Sequence, residues 1–276
     1  MRRTLLRMGL AAIGCAMAFT GVAAVAVQET ADVFQGQAAE DFLTKARIVS
    51  SRPFGSGITR PLRVQLELDG VKHEAIFKSI DVRKPGVTTM PDGTSEIDFQ
   101  DSWETEIAAY IVDRIIGLRM VPATVERKMD ARSGSMQWFV ESMMPEAERI
   151  AQKLVAPDAE SWSQQTQSTR LFDQLIANVD RHLNNILVTK EFNLRLVDHS
   201  RAFRINQSLK DPDSLQRFSR SLLEGIKKLE KKDLQKRAGN YLSSGQIERL
   251  LKRRDEILKL ADKRVKEKGE AAVLYK

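Results

Sequence analysis

The sequence predicts an α+β fold in two lobes, a β-rich first half and a mainly helical second half that close on a cleft. Three observations carry this reading. Short β-prone runs punctuated by Gly and Asp-Gly turns fill residues 42–145, and apolar residues at helical spacing dominate residues 146–276. Near the junction, Ile186-Leu187-Val188-Thr189 and Leu194-Arg195-Leu196-Val197 flank a four-residue polar break, the pattern of a β-hairpin.

Composition sets the outer bounds. A chain of 276 residues with 42% hydrophobic content can bury a sizeable core, which excludes a disordered or fibrous class. The net charge of +7 is uneven: from Arg204 onward basic residues outnumber acidic ones by roughly two to one. No aromatic residues interleave regularly with those charges, so they read as solvated helix faces and no specific nucleic acid is expected. The only cysteine is Cys15, which leaves no disulfide within one chain.

Arg2, Arg3 and Arg7 precede a nearly apolar stretch at 8–27 that ends in the small-residue pattern Ala24-Val25-Ala26. This is the pattern of a bacterial export signal, and the paired arginines also resemble a twin-arginine signal. An uncleaved anchor of about twenty apolar residues, giving membrane association, is the alternative. A lipid anchor at Cys15 is a third. The expected organisation is a signal or anchor at 1–27, a linker at 28–41, a first lobe at 42–145 and a helical lobe at 146–276.

Within the first lobe, residues 42–51 read as a strand, followed by the turn Phe54-Gly55-Ser56-Gly57. Gly55, Ser56 and Gly57 suit a loop whose backbone N–H groups approach a phosphate, and an ordinary hairpin turn explains them equally well. Residues 62–68 alternate as a strand, Asp69-Gly70 turns, and residues 73–78 return to end on Lys78. Residues 83–100, with two prolines and two glycines, read as an irregular insertion. A helix is then expected from Asp101 or Ser102 to Ile116, stopped by Gly117.

Residues 121–127 and 136–140 read as two further strands joined at Ser133-Gly134. The crossing at 141–144 offers backbone groups and an apolar wall to a planar base, with Glu141, Met143 and Met144 as the candidate lining. A helix lined by Leu171, Leu175, Ile176 and Val179 is expected to run into Asp180. Three more helical stretches follow, at 212–230, 232–242 and from a cap at Ser244 to about Lys268.

The chemistry gathers around the hairpin. Asp180 and Asn185 are five residues apart, and Asp198 leaves the second strand where Asn185 enters the first. A carboxylate and a neutral amide oxygen suit a hard divalent cation, so Asn185 and Asp198 are candidate ligands for Mg2+ or Mn2+. Asp180 is the candidate to accept or orient an acceptor proton, since its spacing to Asn185 is that of a kinase catalytic loop. Upstream, Lys78 suits a phosphate clamp, and Glu106, with Glu104 in reserve, suits its partner. Together these groups meet the needs of phosphoryl transfer from ATP: positioning and charge neutralisation more than covalent work.

The segments Asp180-Arg181-His182-Leu183-Asn184-Asn185-Ile186-Leu187-Val188 and Leu196-Val197-Asp198-His199-Ser200-Arg201-Ala202-Phe203 resemble the atypical kinases related to phosphatidylinositol 3-/4-kinases, the HipA toxin kinases and the secretory-pathway protein kinases. The glycine turn, Lys78, Glu106-Ile107-Ala108-Ala109-Tyr110 and residues 172–203 fall in the family's order. The resemblance implies a two-lobed protein-kinase-like fold, Asp180 as catalytic aspartate, Asn185 and Asp198 as metal ligands, and Lys78 with Glu106 as the ion pair. It implies nucleotide as one partner and a protein or other hydroxyl-bearing acceptor, lipid or small molecule, as the second. Asp198 is followed by His199-Ser200 where many protein kinases have Phe-Gly, and no Ala-Pro-Glu follows, so regulation by a long phosphorylated loop is not expected. Two alternatives stand beside an active kinase: a nucleotide-binding pseudokinase or interaction module, and a metal hydrolase using Asp180, His182, Asp198 and His199.

Overall fold

Alternating apolar positions build the first lobe. In a computed structural model, which describes residues 34–55, 60–90 and 93–276, an antiparallel sheet receives two helices on the face those positions form. The expected export segment, Cys15, and Ser56 and Gly57 of the glycine turn lie outside the described residues.

The chain runs α1 (Gln37–Lys45), β1 (Arg47–Pro53), β2 (Leu62–Leu68), β3 (Val71–Lys78), β4 (Asp81–Thr89), β5 (Ser95–Ser102), α2 (Trp103–Ile116), β6 (Thr124–Met129) and β7 (Arg132–Trp138). The main sheet has the order β1-β2-β3-β7-β6. Val64 and Leu66 on β2, Ala75 and Phe77 on β3 and Met136 on β7 are buried against Leu43 of α1 and Ala108, Ala109 and Val112 of α2. Because side chains alternate across a strand, the same register turns Ile76 and Lys78 to the opposite face. Lys78 pairs with Ser135 at the end of β3.

The helix limits follow the sequence closely. Ser102 caps α2 by accepting the Glu104 N–H, and Gly117 ends it at φ 76°, a left-handed conformation that glycine adopts without Cβ strain.

The second lobe continues with β8 (Met144–Pro145), α3 (Glu146–Ala151), α4 (Ala159–Ile176), β9 (Ile186–Val188), β10 (Leu194–Leu196), β11 (Phe218–Ser219), α5 (Arg220–Lys227), α6 (Lys231–Ala238), α7 (Ser244–Lys268), α8 (Glu270–Val273) and β12 (Leu274–Tyr275). Phe172, Leu175 and Ile176 of α4 pack with Leu222 and Ile226 of α5 and Leu250 and Ile257 of α7 in the core. The β9–β10 hairpin pairs Leu196 with Ile186 and gains β8 as a third strand. The result is an α+β fold with an antiparallel N-lobe sheet and a helical C-lobe.

Several local expectations are corrected. Residues 37–41, expected as linker, begin α1, and 42–45 complete that helix rather than a strand. Ala39 and Leu43 are one helical turn apart and both buried, so the polar residues around them are its solvent face. The irregular insertion at 83–100 is instead a two-stranded ribbon, β4–β5. Its Pro85 and Gly86 fall in the register break between Lys84 and Val87, where neither disrupts a ladder.

The β6–β7 turn lies at Asp130 and Ala131, φ 50° and 64°, rather than at Ser133-Gly134. Gly134 sits inside β7 because a Cβ there would strike the Lys78 carbonyl and the Phe77 ring. Helix α4 stops at Ile176, with Ala177 left-handed at φ 47°, so Val179 lies in the connection to Asp180. Residues 212–230 divide into a short 3-10 turn, β11 and α5, and 232–242 gives a helix only from Lys231 to Ala238. The cap of α7 is Ser243, in a capping box with Gln246, rather than Ser244.

Candidate active site

Three elements converge on one ammonium. Lys78, last in β3, donates to Glu106 Oε1 of α2 at 2.5 Å and to Asp198 Oδ1, just beyond β10, at 2.8 Å. The Glu106 side chain is 2% exposed, so its charge has almost no help from water. Burial alone would push the Lys78 ammonium down, but the carboxylates of Glu106 and Asp198 outweigh it and hold it above the usual lysine range. Burial would likewise raise Glu106, and the Lys78 cation overrides it and keeps the carboxyl well below its usual range. Both groups are therefore charged at neutral pH.

The segment carrying Asp198 is fastened to the start of α2. Glu106 Oε2 accepts the His199 N–H at 2.9 Å, and the Ser200 carbonyl accepts the Ser102 N–H and the Thr105 hydroxyl, each at 2.9 Å. Asp198 adopts φ 59°, a left-handed conformation that aspartate tolerates better than most residues. Its Oδ1 takes Lys78 and the Ser200 hydroxyl at 3.2 Å, and the side chain remains 36% exposed toward the cleft.

Asn185 ends the 3-10 turn Leu183–Asn185 and is buried. Its Nδ2 donates to the Asp180 carbonyl at 3.3 Å, which directs Oδ1 to the other side of the amide, and its own carbonyl accepts the Val197 N–H at 3.1 Å. The asparagine thus ties Asp180 to the strand leading into Asp198. The Asp180 carboxylate is 42% exposed and has Arg201 Nη1 at 3.5 Å.

Arg181 holds this loop. Its Nε donates to Asp173, its Nη1 to the carbonyls of Asn185 at 2.9 Å and Val197 at 2.7 Å, and its Nη2 to His199 Nε2 at 2.8 Å. A guanidinium has no acceptor, so His199 Nε2 is the unprotonated nitrogen and the proton sits on Nδ1. Burial lowers the His199 pKa further, and its ring packs edge-on against Phe172. His199 therefore serves as a neutral core side chain.

That geometry removes the donor set of the hydrolase reading. His199 is fully buried with Nε2 committed to Arg181, His182 is exposed, and among the described residues no three His, Cys, Asp or Glu side chains converge on a point.

The remaining candidates lie on other elements. Gly55 is exposed, at φ 71°, on the β1–β2 connection. Glu141 is exposed, Met143 is half-buried and gives its N–H to the Val188 carbonyl, and Met144 is buried in β8. Glu104 pairs with Arg83, so of the two α2 glutamates it is Glu106 that joins Asp198 on Lys78.

Sequence reasoning missed four groups. Arg63 stacks over Phe139 at 4.0 Å, near the crossing between lobes, and Phe54 meets Phe139 edge-on at 6.1 Å. Arg201 and Arg204 both pair with Glu96 of β5. Asp101 stands beside Asp198, and burial raises its carboxyl above the usual range. No local pattern signals these contacts; only the cluster of charges around Asp198 hints at them.

This arrangement is a protein-kinase-like fold, in which the strand of Lys78, the helix of Glu106 and the β9–β10 hairpin follow one another. Solved structures with the same fold include hydra Fam20 with sugar, at TM-score 0.62 and 16% identity over 85% of this chain and 90% of that one. The Golgi casein kinase with Mn/ADP bound aligns at TM-score 0.58 and 16% identity, covering 86% of this chain and 77% of that one. The Helicobacter pylori proinflammatory kinase CtkA aligns at TM-score 0.54 and 12% identity, over 82% of this chain and 98% of that one. No protein-family model and no curated protein sequence matches the chain.

Proposed function

We propose that the protein is an ATP-dependent phosphotransferase that moves the γ-phosphate to a hydroxyl acceptor on a protein. The observation that carries the reading is the single ammonium of Lys78 held by Glu106 and Asp198 at once. That arrangement places a fixed positive charge beside a carboxylate that keeps an oxygen for a cation. The residues fit a hard divalent ion: Asp198 uses Oδ1 for Lys78 and Ser200, and Asn185 turns its amide oxygen away from Asp180.

Bound Mg2+ or Mn2+ would neutralise the triphosphate, with Asp198 and Asn185 as its protein ligands. Lys78 binds phosphate oxygens as a point charge, and Glu106 orients it. Asp180, exposed and one loop away, takes or orients the proton of the acceptor hydroxyl. Gly55, on the β1–β2 connection, would offer its backbone to the phosphates, and Glu141 and Met143 would border the base. Support for the nucleotide and metal comes from the solved Golgi casein kinase, which holds Mn and ADP in the same fold.

The test is transfer of labelled γ-phosphate to the protein itself or to a mixed protein acceptor with Mn2+. Loss of the signal in Asp198→Ala supports the proposal, and equal labelling of both forms overturns it. We also place the protein outside the bacterial cytoplasm, on the strength of the segment at 1–27; retention of a tagged full chain in the cytosolic fraction would refute this.

A further inference from the structure

A cleft of about 260 Å³ opens between the β4–β5 ribbon and the first two turns of α7. Arg83, Lys84, Arg204 and Arg249 line it, with Asp98 as the opposing carboxylate. Asp98 accepts the Gly86 N–H at 2.9 Å, and Arg83 is paired with Asp81 and Glu104. Lys84 stands 5.7 Å from the Phe99 ring, and Arg249 has no hydrogen-bonding partner for its Nε among the described residues.

Among the described residues, three buried donors at this cleft are left unpaired: Gln100 Nε2, Arg204 Nη1 and Arg249 Nε. Their orientation is fixed by neighbours. Gln246 gives its amide N–H groups to Gln100 Oε1 at 3.2 Å and to the Phe203 carbonyl at 3.3 Å, while its own oxygen accepts the Ser243 N–H. Turning the Gln100 amide over would set two NH2 groups against each other, so Nε2 is the group that lacks an acceptor. Arg204 is 5% exposed, and its other Nη is occupied by the Ile97 carbonyl and Glu96. Buried donors are rarely left without partners, and an orphaned set lining one cleft marks a missing acceptor.

We propose that this cleft is an anion site, built for a phosphate or phosphomonoester group. Planar guanidinium and amide donors lining one cleft match the oxygens of a phosphate, and Ser243, the cap of α7, lines the same space. Asp98 is already bonded to backbone, and with Arg83 and Arg204 ion-paired elsewhere, Lys84 and Arg249 supply the uncompensated positive charge of the lining. The anion would reach Arg204, which shares Glu96 with Arg201, the arginine beside Asp180. The site does not depend on the kinase reading.

The experiment titrates the mature protein with inorganic phosphate by calorimetry at constant ionic strength, in wild type, Arg249→Gln, Lys84→Gln and Lys78→Met. Arg249 is half-buried and has no ion-pair partner among the described residues, so its replacement by glutamine breaks no salt bridge there. The site is supported by saturable binding that weakens about tenfold or more in Arg249→Gln and less in Lys84→Gln, and that persists in Lys78→Met. Binding lost in Lys78→Met and kept in Arg249→Gln would assign the phosphate to the nucleotide cleft and overturn the proposal, as would no binding at all. A parallel titration with O-phosphoserine separates sources: tighter binding than phosphate means that the anion arrives on a side chain, equal binding that it arrives free.

Discussion

Glu106 accepts the backbone N–H of His199 at 2.9 Å with one carboxylate oxygen while the other holds Lys78. One side chain therefore sets both the position of α2 and the path of the chain through Asp198. Replacing it with alanine leaves a buried ammonium with one partner and a buried N–H with none. The expected loss is about 3–5 kcal/mol of unfolding free energy, the range for breaking a buried ion pair from one side. Glu106→Gln keeps an acceptor of the same shape and loses less, about 1–3 kcal/mol. Urea titration ranks the three proteins, and an alanine variant within roughly 0.5 kcal/mol of wild type would mean that the pair carries no stability.

Asp198 and Asp180 are expected to separate binding from chemistry. Asp198→Asn removes the anionic oxygen offered to the cation, so nucleotide affinity in Mn2+ falls by about tenfold or more, on the order of 1.4 kcal/mol. Asp180→Asn leaves Lys78, Asn185 and Asp198 untouched, so nucleotide binds as in wild type. Transfer then drops by about 10²–10⁴, the contribution of a positioned acid–base group. Calorimetry with ADP and turnover assays read the two quantities separately. A pseudokinase would instead bind nucleotide in both forms and show no transfer to lose.

Arg181 is a sharper probe of the hairpin than either aspartate. Its fork reaches Asp173, two carbonyls and His199 at once, and a lysine ammonium cannot span those acceptors. Arg181→Lys is expected to cost about 2–4 kcal/mol and to weaken nucleotide binding in parallel, because the Asn185 and Val197 carbonyls lose their common donor. If stability falls and nucleotide affinity does not, the arginine braces the lobe without shaping the site.

Where the sequence was legible, the reason is local. Lys78, Glu106 and Asp198 meet because a strand end, the first turn of a capped helix and a short hairpin each have strong signals at their limits. The departure at His199-Ser200 is explained by packing: His199 fills a closed slot beside Phe172, and Arg181 supplies the donor that a phenylalanine would not need. What stayed hidden depends on contacts far apart in sequence. The β4–β5 ribbon carries Pro85 and Gly86 where a bulge tolerates them, so its composition imitates a loop. The β6–β7 turn uses Asp130-Ala131 in left-handed conformations without the usual Asn-Gly pair. Glu96 meets Arg201 and Arg204 across about a hundred residues, a separation no window of sequence reveals.

A pH dependence is expected from Asp113, whose carboxylate lies fully buried in α2 and accepts the N–H groups of Met120 at 2.8 Å and Val121 at 2.9 Å. Burial pushes its pKa up from 3.8 to about 6, and the backbone donors offset only part of that rise. The folded state therefore holds the proton more tightly than the unfolded chain between those values. Stability from this group is complete below pH 3.8 and is withdrawn as pH rises through 6, by about 3 kcal/mol in all. Asp113→Asn cannot titrate, and every other ionisable group is common to both proteins. Urea unfolding of the pair at pH 4, 5, 6 and 7 should show wild type losing ground to the asparagine form across that window and no further change above it. A difference that stays flat from pH 4 to 7 would place the folded pKa at its ordinary value, meaning that the N–H groups of residues 119–121 compensate the burial in full.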